Sequence, residues 1–153
     1  MIETLGEHVL KSNETMMVKH STTLNLNPAY TFFLRQTAEL MDNGFAARTT
    51  HWSDKDCGII WGEIDGEIVG IFAYNKEHCD HELLEILLTS VDLKHRRKGI
   101  HSILNSYFES LALSFNCKIT AATISPKNEV RLASAKKDGY SLIYFKMYKL
   151  IEK

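Results

Sequence analysis

Much of what this chain could have been is excluded by what its sequence lacks. It has no CxxC pair: Cys57, Cys79 and Cys117 are odd in number and widely spaced. They point neither to a zinc knuckle nor to a redox dithiol motif, and read as free thiols of a reducing compartment. It has no excess of one charge, since 18 Lys+Arg stand against 19 Asp+Glu. A general nucleic-acid partner calls for a basic excess, so none is expected. No apolar run approaches the roughly 18–20 residues that cross a bilayer. The start "MIETLGEHVLK" lacks the basic-then-apolar order of a secretory leader. A cytoplasmic protein without a membrane partner is therefore expected. None of the seven histidines forms an HxxxH or HxH pair. His78 and His81, with Cys79 between them, are the nearest to a cluster and read as loop residues, so no metal is expected. There is no Walker loop, no GxGxxG and no nucleophile elbow. Repeats, low-complexity segments and linkers are absent, and the two prolines, Pro28 and Pro126, read as punctuation.

What is present is ordinary for one globular domain: 44% apolar and 24% charged residues. The first thirty residues carry the weakest pattern, with a strand expected near Met16 to Val18. Asn27-Pro28 suits a helix start and Asn43-Gly44 a stop, with Phe33, Leu34, Leu40 and Met41 at helical spacing between them. "CGIIWGEIDGEIVGIFAY" reads as a hairpin about the tight turn Asp65-Gly66. "HELLEILLTSV" is apolar enough for a central strand. Ile103, Leu104, Tyr107, Phe108, Leu111 and Phe115 predict a helix of about four turns. "CKITAATI" reads as a strand, "SPKNEVRLASAKKDG" as a short helix and "YSLIYFKMYKL" as a last strand. The strand-helix-strand step implies a right-handed crossover and a parallel pair within a mixed sheet. The fold class is α/β, one domain over 1–153.

Between the central strand and its helix lies "VDLKHRRKGIHS", with Lys94, Arg96, Arg97 and Lys98 around Gly99. Ligands of open α/β sheets bind at this position. A helix's first turn offers unpaired N–H groups and a partial positive charge. Glycine lets the backbone come close to a phosphate. A solvated basic turn would carry the same residues, so the loop alone does not decide.

Taken with its neighbours, the loop resembles the acetyl-CoA loop of the GNAT superfamily, the Gcn5-related N-acetyltransferases, whose motif is R/Q-x-x-G-x-G/A. Arg96, Gly99 and Ile100 match it, and Val91 matches the usual valine at the strand's end. The hairpin ending "EIVGIFAY" resembles the two preceding strands of the family. Asn128, with Gly139 and Tyr140 beyond it, resembles its N-x₁₀-G-F signature. The likeness is clearest over 57–153, while 1–56 corresponds to the acceptor-side strand and helix region. It implies a central mixed, mostly antiparallel sheet, a parallel pair splayed at the cofactor site and helices on both faces.

The resemblance further implies an acetyl-CoA-dependent N-acetyltransferase acting on a primary amine by direct attack on the thioester. The backbone of Thr89, Ser90 and Val91 would hold the pantetheine arm, with the Val91 amide polarising the thioester carbonyl. The amides of Arg97, Lys98, Gly99, Ile100, His101 and Ser102 would cradle the diphosphate; Arg96 and Asn128 complete the cofactor set. Two residues depart from the pattern. Leu93 replaces a common proline, and His101 replaces the final small residue, its side chain expected to turn towards solvent.

For catalysis, the tyrosine and glutamate that some members use would fall at Ala135 and Thr123, where neither occurs. Glu85 lies where the histone-acetylating branch carries its general base. A carboxylate inside "LLEILL" is costly to bury, which favours a raised pKa. Edge exposure or a lysine partner is the alternative. Glu82 and His81 are further candidates acting through water, and Tyr140 and Tyr144 are candidate proton donors. Tyr30, Phe32, Phe33 and Trp52 are candidate walls of the acceptor site, or core. The competing reading is a non-catalytic acyl-CoA-binding module that acts through a protein partner. A homodimer through sheet edges is also implied by the resemblance.

Overall fold

A computed structural model describes residues 1–45 and 56–142. Among the described residues, six strands form one sheet in chain order: β1 (Ile2–Val9), β2 (Thr15–Ser21), β3 (Cys57–Ile64), β4 (Glu67–Asn75), β5 (Leu83–Val91) and β6 (Ile119–Ala122). All neighbours are antiparallel except β5 and β6, which run parallel. Helix α1 spans Ala29–Asp42, α2 spans Ile100–Ser114 and α3 spans Glu129–Lys137. The chain divides into two compact units, Met1–Thr123 with the sheet and a second from Ile124. Among the described residues no helix is long and apolar enough to cross a membrane.

The hairpin of β3 and β4 turns at Asp65 and Gly66, with φ of 49° and 82°. Two consecutive positive φ values make the primed turn that matches strand twist, which is why Asp-Gly announces it. Along these strands alternate side chains take opposite faces. Ile59, Trp61, Ile71 and Ala73 pack with Phe32 and Phe33 of α1 in one buried cluster. Phe72 and Tyr74 point the other way, onto Phe108 of α2, with ring centroids 5.5 and 6.4 Å apart. Helices therefore cover both faces. Burial of each such aromatic contributes about 1.5–3 kcal/mol. On α2 the buried residues Ile100, Leu104, Phe108 and Ala112 recur every fourth position. Leu104 and Phe108 of that narrow stripe belong to the periodicity that predicts the helix, while Ile100 and Ala112 extend it at either end.

The start of α1 falls one residue later than expected, with Pro28 at the cap position, while the Asn27 side-chain oxygen accepts from the Ala29 amide at 2.9 Å just before it. In the second unit the cap of α3 is Asn128, not the Ser-Pro pair; Asn128 Oδ1 accepts from the Arg131 amide at 3.1 Å. The last expected strand falls almost wholly outside the described residues.

The sequence reading missed β1. Its residues are mostly exposed or half-buried, so the strand lacks a clean alternation. Tertiary contacts secure it instead. His8 Nε2 meets the Tyr107 hydroxyl of α2 at 2.9 Å, and Gly6 leaves room for that tyrosine. Deeper in, buried His20 lies between Glu3 (2.6 Å) and Tyr74 (2.8 Å), tying β1, β2 and β4 together. Burial pushes the Tyr74 hydroxyl above its ordinary range. It stays protonated and donates to His20 Nε2, leaving Nδ1–H to donate to Glu3.

Candidate active site

The site is built on β5 and the loop that leads from it into α2. β5 pairs with β4 from Glu85 to Val91, but with β6 only from Leu83 to Ile86. Among the described residues, no strand lies against that second edge beyond Ile86. The orientation of the peptides there is given by one hydrogen bond. The Asp92 amide donates to Val69 of β4 at 2.9 Å. In an antiparallel ladder, bonding direction alternates, so the N–H and C=O of Thr89 and Val91 face away from β4, onto the open edge. The ladder also shifts by one residue between Ala73 and Tyr74, so Leu87 is extra. Leu87 and Leu88 both pack on the cluster beneath α1, as adjacent residues of a β-bulge do. A bulge bends its strand. Here it lies at the point where β5 and β6 cease to pair.

After Val91 the chain makes one tight helical turn, Leu93–His95, held by Asp92, whose side chain accepts from the Lys94 amide at 3.0 Å. Arg97 and Gly99 then adopt φ of 66° and 89°. A Cβ at Gly99 would meet nothing within 4 Å. Glycine stands there for its backbone conformation and for open space before it, not for packing. In α2 the Ile103 amide is the first to reach back, to Gly99 at 3.2 Å. The amides of the preceding turn point out of the helix end, where the macrodipole favours an anion.

The basic side chains divide their roles. Arg97 is exposed and has no partner among the described residues. Arg96 Nε donates to the Val91 carbonyl at 3.2 Å, on the open edge. Lys98 pairs with Glu14 of the β1–β2 turn at 2.5 Å. Hydrogen bonds from Lys98 and then Ser12 hold the Glu14 carboxyl below its ordinary value. A depressed carboxylate favours folding above the ordinary carboxylate range, and its contribution is lost as pH falls through the lowered pKa. Because Glu14 and Lys98 are both only partly buried at the surface, the pair serves the loop more than global stability. Glu14→Gln is therefore expected to leave the melting temperature nearly unchanged while speeding amide hydrogen exchange over 96–99.

His101 differs from expectation. Its ring is half-buried and lies 5.2 Å from that of Phe72, tilted by 39°. It turns to the sheet, not to solvent, because the start of α2 sits directly over β4. Ser102 is exposed in the first turn.

On the α1 side, Ser90 donates to Gln36 at 2.5 Å, and Arg35 pairs with Asp92 at 3.5 Å. These contacts fasten α1 to the end of β5 beside a cleft of about 310 Å³. The cleft is lined by Arg35, Gln36, Glu39, Asp92, Leu93 and Arg96. Sequence reading found none of the α1 partners, since only packing brings them to β5.

Glu85 is half-buried in mid-strand, opposite Asn75 of β4 and Ala121 of β6. Its side chain has no hydrogen bond or ion pair among the described residues. Glu82 instead pairs with Lys118 at 2.5 Å, and exposed His81 lies 3.7 Å from Asp80. Phe32 and Phe33 are core, with Tyr30 stacked on Phe33 at 6.2 Å. Asn128 and Tyr140 belong to the second unit, where the Asn128 side-chain oxygen is used by its own helix. Trp52 and Tyr144 lie outside the described residues.

The model of the acetyltransferase (GNAT) family matches residues 23–140. Among solved structures, one similar fold is an aminoglycoside acetyltransferase, meta-AAC0020, from an uncultured soil metagenomic sample, in complex with sisomicin. Its TM-score is 0.67 at 12% identity, covering 90% of this chain and 97% of that one. A second is aminoglycoside N-acetyltransferase AAC(6′)-Iy in complex with CoA, with a TM-score of 0.62 at 13% identity and coverage of 89% and 99%. A third is ribosomal-protein-alanine N-acetyltransferase from Brucella melitensis biovar Abortus 2308, with a TM-score of 0.64 at 13% identity and coverage of 88% and 99%. At such identities the likeness is one of fold. No curated protein sequence matches the chain.

Proposed function

The chain belongs to the GNAT acetyltransferase family, and on that footing we propose that it transfers an acetyl group from acetyl-CoA to a primary amine by direct attack on the thioester. One observation carries this reading: the open edge of β5 runs straight into the Gly99 turn and the first turn of α2. An arm with alternating amides meets an anion site at its end, in the order that pantetheine and diphosphate follow in CoA.

The diphosphate sits at Gly99 and the first turn of α2, with exposed Arg97 adding positive field. Pantetheine lies along β5 as an added strand. With the phosphate end anchored there, the thioester end points back along β5 towards the bulge. Val91 adjoins the loop, so its amide holds the arm, while Arg96 occupies its carbonyl. Polarising the thioester falls to the Thr89 amide, which faces the same edge. Six residues of strand separate Glu85 from Val91 by about 20 Å, and four separate it from Thr89 by about 13 Å. Glu85 then acts through bridging water on an amine held at the bulge. It removes the proton that an ordinary ammonium, with a pKa near 10.4, would keep. The C–N bond forms, the C–S bond breaks, and the thiolate of CoA leaves and is protonated.

Calorimetric titration with acetyl-CoA and CoA at two salt concentrations tests the binding half. Stoichiometric binding is expected, weakened only modestly by salt because backbone amides, not surface charge, hold the diphosphate. A folded protein that binds neither ligand would refute the reading. Turnover is then read on a panel of amino sugars, polyamines and peptide amines. Binding without turnover on any amine would favour a non-catalytic acyl-CoA-binding module acting through a protein partner. The absence of an acid or base at Thr123 and Ala135 supports that second reading.

A further inference from the structure

Two of the thiols meet far from the acyl-transfer loop. Cys79 lies in the tight turn Cys79–His81 that leads into β5, and Cys117 lies in the turn between α2 and β6. Their sulfurs are 3.1 Å apart, Cys117 donating to Cys79. Cys79 is partly exposed and Cys117 is buried, whereas Cys57 is enclosed in the core beneath α1. We propose that Cys79 and Cys117 form a modification site: a hydroperoxide oxidises them to an intramolecular disulfide that clamps together the starts of the parallel strands β5 and β6.

The backbone already holds both residues for it. Glu82 donates to the Cys79 carbonyl at 3.0 Å, and its own carbonyl accepts from Lys118 and Ile119 at 2.8 and 3.0 Å. Cys117 donates to Ala112 at 2.9 Å, and Lys118 Nζ reaches Glu82 at 2.5 Å. The approach of the sulfurs thus follows from paired strand starts. Closing from 3.1 Å to the bonded distance of about 2.05 Å requires a shift of about 1 Å.

The chemistry balances with hydrogen peroxide as the oxidant. The Cys79 sulfur attacks one peroxide oxygen; an S–O bond forms and the O–O bond breaks. The departing hydroxide takes the Cys79 proton and leaves as water, with a sulfenic acid on Cys79. The Cys117 sulfur then attacks the Cys79 sulfur; an S–S bond forms and the S–O bond breaks. The second hydroxide takes the Cys117 proton. Two thiols lose two electrons and two protons, and one peroxide becomes two waters. Burial pushes the Cys79 thiol up to about 12. The first step is accordingly slow at neutral pH, and the bond acts as a lock, not as a rapid sensor.

The test uses the whole chain. Purified protein is treated with hydrogen peroxide, and free thiols are counted after denaturation. Linked peptides are mapped, and melting temperature is measured with and without dithiothreitol. The three thiols are expected to fall to one, Cys57, with the Cys79 peptide joined to the Cys117 peptide within a monomer. Closing a loop of this length should raise the melting temperature by about 5–10 °C, reversibly. Acyl-CoA affinity should change less than about twofold, because the clamp lies at the end of β5 away from Val91. Cys79→Ser, at a partly exposed position, should fold and show no rise on oxidation. Sulfinic acid on Cys79 with Cys117 still a thiol would overturn the proposal. Bridging between molecules, or three thiols surviving peroxide that oxidises free cysteine, would do the same.

Discussion

Glu85→Gln is expected to lower kcat about a hundredfold, the scale on which a positioned general base contributes, while leaving the affinity for acetyl-CoA unchanged. Glutamine keeps the shape of the side chain and removes its basicity, so folding and the cofactor edge are spared. Glu85 has no ion-pair partner among the described residues, and its replacement breaks no pair. If turnover survived, Glu85 would be a tolerated mid-strand carboxylate. The amine would then lose its proton to bulk water or to another group.

The second large effect concerns Gly99. Gly99→Ala is expected to weaken CoA binding at least tenfold, read by the same calorimetry. The cost has two parts: an alanine at φ of 89° is strained by about 1–3 kcal/mol, and its Cβ occupies the space a phosphate would enter. The structure supplies a control. Gly66, in the β3–β4 turn, has φ of 82°, and a Cβ added there would likewise meet nothing within 4 Å. Gly66→Ala should carry a similar strain and melt at a similarly lowered temperature, yet bind CoA within about twofold of the parent. Equal loss of CoA affinity in both variants would mean that general strain, not phosphate contact, explains Gly99.

The legible parts of this protein are those whose cause is local. Asp65-Gly66 specifies a turn because its two residues tolerate positive φ. The recurrence of Ile103, Leu104, Tyr107, Phe108 and Leu111 specifies a helix because its period is that of the helix. Gly99 marks the turn into α2 because a glycine adopts positive φ without help from any neighbour. The missed parts have distant causes. β1 is a strand because β2, Tyr107 and His20 make it one, although its own pattern is broken by Gly6. The bulge at Leu87 is invisible in "LLEILL", where every residue is apolar except the glutamate. A lone helix would turn His101 to solvent; the sheet beneath this one draws it inward.

From its sequence alone, then, this chain determined its family, its mixed α/β class and the glycine turn that leads into α2, because turn chemistry, hydrophobic period and a spaced motif are properties of neighbouring residues. Tertiary structure alone decided which peptides of β5 face an open edge, that Glu14 restrains Lys98, that Gln36 and Arg35 fasten α1 beside the site, and that Cys79 touches Cys117. Each of these depends on strand register and on which segments pack together. Those are settled by the burial of the whole core, with partners tens of residues apart, and no local pattern encodes them.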